Sequence, residues 1–189
     1  LLPDSGAILA GRVELLADGS EADSTRAPAV DVLRISEQAM RRVRGKRIAM
    51  IFQEPGTSLN PVMTVGEQLA EVLTLHKGLS KLDAMKAAEA WLQKVGIPEP
   101  AKRLFQYPFE LSGGQKQRVM IAMALATEPD LLIADEPTTA LDVAIQAQVL
   151  TLLKDLQREQ GMAMLLITHD LAIVKQMAHH VGLMYAGQL

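Results

Sequence analysis

The sequence predicts an α/β fold with a mostly parallel sheet and one long helical insert. Short apolar runs alternate with helical segments in residues 111–189, an earlier strand-like run that is apolar after Arg47 spans residues 47–52, and residues 62–110 have helical periodicity throughout. Strands that alternate with helices favour parallel pairing, because each helix carries the chain back across the sheet. We therefore divide the chain into residues 1–61, 62–110 and 111–189.

The first part of the chain has a mixed pattern. Ile8 to Leu16 is strand-like and bounded by glycines, and Leu1 to Pro3 has the pattern of a helix end. Residues 17–29 are polar without an apolar period, which predicts a surface loop. Ser36 to Val43 predicts a short helix, and residues 47–52 then predict a buried strand.

Two capped helices make up most of the insert. Thr64, with Glu67 three residues later, forms a capping box, and Gly78 ends this helix. A second helix begins at Ser80 and is closed by Gly96. Each carries one apolar stripe, so each is predicted to pack one face against a core.

Helices and strands alternate after the insert. Residues 113–127 predict a buried helix, because the sequence is apolar on every side from Val119 onward. The elements expected after it are a strand at 131–134, a helix capped by Asp142 and stopped by Gly161, a strand at 162–167, a helix at 171–178 and a strand at 181–185.

Composition excludes several classes of function. The formal net charge is -3 and no long basic run is present, which argues against a nucleic-acid partner. The chain has no cysteine, so these residues hold no disulfide and no thiolate metal site. The longest apolar run, Val119 to Ala126, is far shorter than the ~20 residues of a membrane-spanning helix.

Residues 111–115 read Leu-Ser-Gly-Gly-Gln and predict an anion site. They place a hydroxyl and unobstructed backbone N–H groups at a helix start, with Lys116 and Arg118 adding positive charge. A bare Ser-Gly-Gly is more often a helix cap followed by two glycines. The functional interpretation therefore depends on a second motif downstream.

That second motif is Asp135-Glu136, directly after an apolar strand. The carboxyl edge of a parallel sheet is where α/β proteins bind their ligands. Two acids after a strand are, in isolation, more often an ordinary strand end with exposed side chains. Residues 111–115 followed by Asp135 and Glu136 form a far more specific joint pattern.

The joint pattern resembles the ATP-binding cassette (ABC) family of ATPases. Residues 51–61, Ile-Phe-Gln-Glu-Pro-Gly-Thr-Ser-Leu-Asn-Pro, together with residues 118–125 and 134–143, are similar to the ATP-binding subunits of bacterial oligopeptide, dipeptide and nickel importers. The resemblance covers nearly the whole chain. It implies a P-loop NTPase fold of ABC type, with an antiparallel β portion and residues 62–110 as a helical subdomain.

The resemblance implies roles for residues around one ATP. Asp135 would hold Mg²⁺, and Glu136 would polarise the water that attacks the γ-phosphate. Gln53 would ligate Mg²⁺ and report the nucleotide state to the helical insert. A neutral His169 would hydrogen-bond the γ-phosphate and orient the water.

The resemblance also implies a dimer. Ser112, Gly113, Gly114 and Gln115 would bind the ATP of a second ABC ATP-binding subunit, arranged head to tail. Asp142 would lie in the loop that crosses the dimer interface while also capping its own helix. Paired transmembrane permeases and an external substrate-binding protein would complete the importer, with this subunit peripheral on the cytoplasmic face of the bacterial inner membrane.

One expected motif has no match. No G-x-x-x-x-G-K-[ST] loop, which cradles nucleotide phosphates, occurs in the 189 residues. We therefore expect a truncation before Leu1 and no ATPase activity from these residues alone. The alternatives are an importer of nickel or another small solute, a non-transport cassette acting on DNA or ribosomes, and an inactive remnant. The non-transport cassette is disfavoured because no heptads separate Gln53 from Leu111.

Overall fold

The computed structural model describes residues 8, 10–15, 30–139 and 141–189. They belong to two compact units, residues 1–43 and residues 44–189. The helix end predicted at Leu1 to Pro3 and the loop predicted at residues 17–29 lie outside the described residues, as does part of the strand predicted at Ile8 to Leu16.

The first unit contains an antiparallel pair of short strands and one helix. Strand β1 (Glu14–Leu15) pairs with β2 (Val30–Asp31). Asp31 stabilises the end of this pair. Its Oδ1 accepts hydrogen bonds from the backbone N–H groups of Val13 and Leu33, at 3.2 and 3.1 Å respectively. Helix α1 (Glu37–Val43) follows, close to the bounds predicted for it.

A three-stranded parallel sheet forms the centre of the second unit. Its order is β3 (Ile48–Ile51), β4 (Leu131–Asp135) and β5 (Ala163–Ile167). One face is buried, with Ile51 and Leu132 both 0% exposed, whereas Leu165 and Ile167 on β5 are 52% and 44% exposed. The α/β class with both parallel and antiparallel strands is confirmed.

Helices supply the rest of the second unit. They are α2 (Pro55–Ser58), α3 (Val65–Lys77), α4 (Lys81–Lys94), α5 (Pro100–Arg103), α6 (Gly113–Leu125), α7 (Val143–Gln160) and α8 (Leu171–Met177), with a 3₁₀ turn at Pro108–Glu110. The capping box of Thr64 and Glu67 is present, and Gly78 ends α3 in the left-handed conformation. From Val119 onward, helix α6 is buried as predicted except at Met123 and Ala124, which are partly exposed. Its apolar side chains share one core with α3, α4, α7 and the sheet.

The prediction of a strand at residues 181–185 is wrong. Among the described residues, the structure has only an isolated bridge there, between Tyr185 and Gln188. Leu183 is 80% exposed and Tyr185 is 83% exposed. An apolar run with strand propensity needs a neighbouring strand to pair with, and propensity alone does not supply one.

No helix among the described residues has both the length and the apolar character that a membrane crossing requires.

Candidate functional site

Three predicted site residues come just after adjacent strands of the parallel sheet. Gln53 lies two residues beyond the end of β3, Glu136 directly follows β4, and His169 lies two residues beyond the end of β5. Parallel strands present their carboxyl ends at one edge, so the strand order β3-β4-β5 brings these side chains together. The sheet topology therefore builds the site from residues that are distant in sequence.

Glu136 is the centre of the resulting hydrogen-bond network. Its Oε2 accepts a hydrogen bond from Nε2 of Gln53 at 3.0 Å and another from Oγ1 of Thr139 at 2.9 Å. Its Oε1 lies 3.0 Å from Nδ1 of His169. The carboxylate is thus held by three polar side chains from three separate segments.

The network also sets the charge of the carboxyl group. The pKa of Glu136 lies below its ordinary value, first because of the hydrogen bond from His169 and next because of that from Thr139. Burial acts in the opposite direction but is outweighed. Glu136 is therefore an ionised acceptor at neutral pH, as a general base must be.

The contact with Glu136 shows which ring nitrogen of His169 faces the carboxylate. An ionised carboxylate only accepts hydrogen bonds, so Nδ1 of His169 must carry a hydrogen. The hydrogen bond from His169 to the γ-phosphate, which the family resemblance implies, stays a prediction.

The backbone at Glu136 is held in an uncommon conformation. Its φ is 45°, in the left-handed region that non-glycine residues rarely adopt. Its N–H donates to the carbonyl of Ile167, the last residue of β5, at 2.9 Å. This bond joins the turn after β4 directly to the neighbouring strand and fixes the backbone position from which the Glu136 side chain extends.

The predicted anion site forms a capped helix start. Ser112 Oγ accepts from the N–H of Gln115 at 3.3 Å, and Gln115 Oε1 accepts from the N–H of Ser112 at 3.0 Å. Ser112 and Gly113 are exposed. Among the described residues, no hydrogen bond joins Ser112 or Gln115 directly to the Glu136 network.

Asp135 and Asp142 lie outside the network. Asp135 is the last residue of β4 and is half-buried. Asp142 caps α7, because its Oδ1 accepts a hydrogen bond from the N–H of Ile145 at 3.0 Å. Asp142 is exposed. The capping role predicted for Asp142 is confirmed, while its interface role stays a prediction.

Three polar residues of the site region were not predicted from the sequence. Thr139 binds Glu136 directly, and its position three residues after an acid is the signal that was available. Gln68, 4% exposed, binds the backbone of Asn60 and Met63, and Gln117, 1% exposed, binds the carbonyl of Pro137. Both glutamines interrupt helix faces that are otherwise apolar.

The donor set is sparse for a metal held by protein alone. Among the described residues, no group of three or more His, Cys, Asp or Glu side chains is arranged to hold a metal ion. Asp135 still offers a carboxylate, and Gln53 offers an amide oxygen because its Nε2 is the atom that binds Glu136. Such a set fits Mg²⁺, which commonly combines one or two protein oxygens with substrate phosphates and water.

Comparison with known proteins places these motifs in a family. The family model described as "ABC transporter" matches residues 5–139. The dipeptide transport ATP-binding protein of Bacillus subtilis is 56% identical over 159 residues, which is 84% of this chain and 48% of that protein. The oligopeptide transport ATP-binding protein of the same organism is 58% identical over 159 residues, 84% of this chain and 44% of that protein.

Further comparisons agree in sequence and in structure. The dipeptide transport ATP-binding protein of Escherichia coli K12 is 57% identical over 84% of this chain and 49% of its own length. A dimeric ATP-binding cassette in a post-hydrolysis state, bound to ADP and Pi, superposes with a TM-score of 0.66 at 32% identity, covering 76% of this chain and 61% of that one. The chain spans about half the length of the curated relatives it matches.

Proposed function

Because the chain belongs to the ABC transporter family, we propose that it is part of the ATP-hydrolysing subunit of a bacterial importer for peptides. The observation that carries this proposal is the Glu136 carboxylate, held by Gln53, Thr139 and His169 at the carboxyl edge of the sheet. Relatives named as dipeptide and oligopeptide transport ATP-binding proteins support the substrate class.

Glu136 acts as the general base in this proposal. The carboxylate is ionised at neutral pH and accepts the proton of the water that attacks the γ-phosphate. Hydrogen bonds from Gln53 and Thr139 to Oε2 and from His169 to Oε1 fix its direction before ATP arrives. Such preorganisation lowers the barrier because the groups need not reorient during the reaction.

Asp135 and Gln53 are the residues that would hold Mg²⁺. When bound, the ion neutralises charge on the phosphates. Asp135 is the last residue of β4, directly before Glu136, and the amide of Gln53 reaches Glu136 from the segment after β3. Both offer the oxygen atoms that this hard cation prefers.

The exposed helix start serves a second subunit in this proposal. Ser112 and Gly113 are exposed, and the helix start favours a phosphate anion. A head-to-tail dimer would place Ser112 to Gln115 against the ATP of the partner and Asp142 at the interface. The dimeric state of the solved cassette supports this arrangement.

The same proposal names membrane partners. Permease subunits would receive the motion of the helical segment 62–110, and an external binding protein would deliver the peptide. The subunit would lie on the cytoplasmic side of the inner membrane. The names of the relatives, which are dipeptide and oligopeptide transport ATP-binding proteins, support a role in transport.

Reconstitution tests the proposal and its alternatives. The full-length protein is assembled with the permeases from its own operon in proteoliposomes, and ATP hydrolysis is measured with the binding protein and peptides or nickel chelates. Peptide-stimulated hydrolysis is expected. Stimulation by nickel alone would transfer the assignment to a metal importer, and the absence of any ATP hydrolysis would overturn the function.

A further inference from the structure

Gln117 makes a buried contact that the proposed catalytic roles do not use. It lies in the second turn of α6 and is 1% exposed. Its Nε2 donates a hydrogen bond to the backbone carbonyl of Pro137 at 2.6 Å. A glutamine amide deprived of water is costly unless it is hydrogen-bonded, so this contact strongly favours one position of α6 relative to Pro137.

Pro137 is the residue next to Glu136, and the backbone on both sides of the catalytic carboxylate is therefore fixed. On one side, the N–H of Glu136 donates to Ile167 on β5 at 2.9 Å. On the other side, Gln117 holds the carbonyl of Pro137. Thr138, which follows, is 3% exposed, so the turn is buried where it leaves Pro137.

The start of α6, although exposed at Ser112 and Gly113, packs closely against α7 at Gly114. A Cβ atom on Gly114 would lie 2.8 Å from Cγ2 of Ile145 in α7, which shows how closely the two helices approach. Gln117 is only five residues after Ser112, within the same rigid helix. A displacement of the helix start at Ser112 would therefore also displace Gln117 and the carbonyl of Pro137 to which it is bonded.

We infer that Gln117 is a positioning residue that couples two sites of one subunit: the helix start at Ser112, which would bind the nucleotide of the partner, and the Glu136 carboxylate. When Ser112 and Gly113 engage the nucleotide of the partner, α6 is held in place, and Gln117 transmits that placement to the backbone that carries Glu136. The water-activating carboxylate of one site is thereby aligned by occupancy of the other. This inference rests on the proposed ATPase function.

Three variants of the full-length protein test the inference. Gln117→Met keeps the volume but removes the donor. Gln117→Glu restores a donor, because a carboxyl group buried this deeply stays protonated and its O–H can reach the same carbonyl. Thr127→Val is the matched control, since Thr127 is also buried, lies just beyond the other end of α6, and makes one long hydrogen bond to Ala124 at 3.5 Å.

The expected result separates alignment from general stability. Gln117→Met should lower kcat for ATP about tenfold or more while KM stays within about twofold, because misalignment of a reacting group affects the chemical step. Gln117→Glu should recover most of the lost kcat. Thr127→Val should leave kcat within about twofold even where its unfolding temperature falls as far as that of Gln117→Met.

Each other result has a definite meaning. A Gln117→Met protein that hydrolyses ATP at the wild-type rate would overturn the coupling role. A loss of kcat that Gln117→Glu does not recover, or that Thr127→Val reproduces, would show that packing rather than the donated bond matters, and would also overturn it. If the wild-type protein itself fails to hydrolyse ATP, the proposed function falls and the coupling falls with it.

Discussion

Glu136 is strained in its backbone and well supported in its side chain. A φ of 45° is unfavourable for a residue that carries a Cβ atom. The bond from its N–H to Ile167 and the three polar contacts to its carboxylate oppose relaxation of the turn. Strain that is held by its surroundings in this way is common where a group must be ready before its ligand binds.

The pKa of Glu136 gives a prediction at the same scale. His169→Ala removes the largest cause of the lowered pKa, so the pKa should rise toward the ordinary value of 4.5. His179→Ala is the control, because His179 is exposed and takes no part in the hydrogen bonds to Glu136. Carboxyl-carbon NMR titration of both variants measures the shift, and an unchanged Glu136 pKa in His169→Ala would contradict the network.

The direction of the shift also fixes a dependence of stability on pH. A carboxyl group whose folded-state pKa is lowered stabilises the fold fully above its unfolded value, here near 4.5. That contribution is lost as the pH falls through the lower folded-state pKa. The wild type should therefore lose its stability advantage over Glu136→Gln below pH 4.5, as urea unfolding across this range would show; an equal advantage at all pH values would contradict it.

Individual residues show why the sequence reveals only part of the site. Gln53, Glu136 and His169 follow strands, so a predicted parallel sheet is enough to place them at one edge. Thr139 and Gln117 act through contacts that depend on the turn after β4 and on how α6 packs. Neither the turn conformation nor the helix packing has a short sequence signature.

Among the elements, the segment between β3 and α3 depends on one buried glutamine. Gln68 on α3 accepts from the N–H of Asn60 at 2.9 Å and donates to the carbonyls of Asn60 and Met63 at 3.0 Å each. It therefore ties the loop that begins near Gln53 to the first helix of the insert. This contact gives the loop a mechanical link to the insert.

Substitution of Gln68 tests that link. Gln68→Leu leaves three backbone groups without their partner and should lower the free energy of unfolding by about 2 kcal/mol. Gln93→Leu, at an exposed glutamine on α4, should change it by less than about 0.5 kcal/mol. Urea unfolding of both variants is the measurement, and equal effects would show that the contacts of Gln68 do not stabilise the fold.

The approach of α6 to α7 gives a second prediction for elements. Gly114→Ala places a Cβ 2.8 Å from Ile145, so it should destabilise the protein by about 1–3 kcal/mol although alanine favours helices. Gly56→Ala, in α2, meets no atom within 4 Å and should be neutral or slightly stabilising. Thermal unfolding would compare them, and a stabilised Gly114→Ala would show that the helices can separate without cost.

Element prediction succeeded where the signal was local and failed where it was not. The capping residues Thr64, Ser80, Ser112 and Asp142 mark the starts of α3, α4, α6 and α7 in the structure. Residues 181–185 have a strand-like composition, but pairing depends on a neighbour that no local pattern specifies. Their exposure follows from that missing pairing.

At the scale of the whole molecule, one sheet face is incompletely covered. Parallel sheets are normally buried on both faces, yet Leu165 and Ile167 are half exposed. The same chain contains no G-x-x-x-x-G-K-[ST] sequence. We therefore expect these 189 residues not to hold the β- and γ-phosphates by themselves.

The absence of this motif from the sequence predicts the activity of the isolated chain. The purified 189-residue chain should show no ATP hydrolysis above background, because it has no phosphate-binding loop. A coupled assay of phosphate release is the measurement, with the full-length protein as the positive control. Robust turnover by the 189 residues would mean that another segment binds the phosphates.

The most direct test of the central claim is the Glu136→Gln substitution in the full-length protein. Hydrolysis should fall at least about a hundredfold, since a general base is lost, while ATP binding persists and an ATP-bound dimer accumulates. Glu71→Gln, at an exposed acid on α3, is the matched control and should keep wild-type activity. Phosphate release and size-exclusion chromatography with ATP measure both effects; unchanged hydrolysis in Glu136→Gln would remove Glu136 from the role proposed for it.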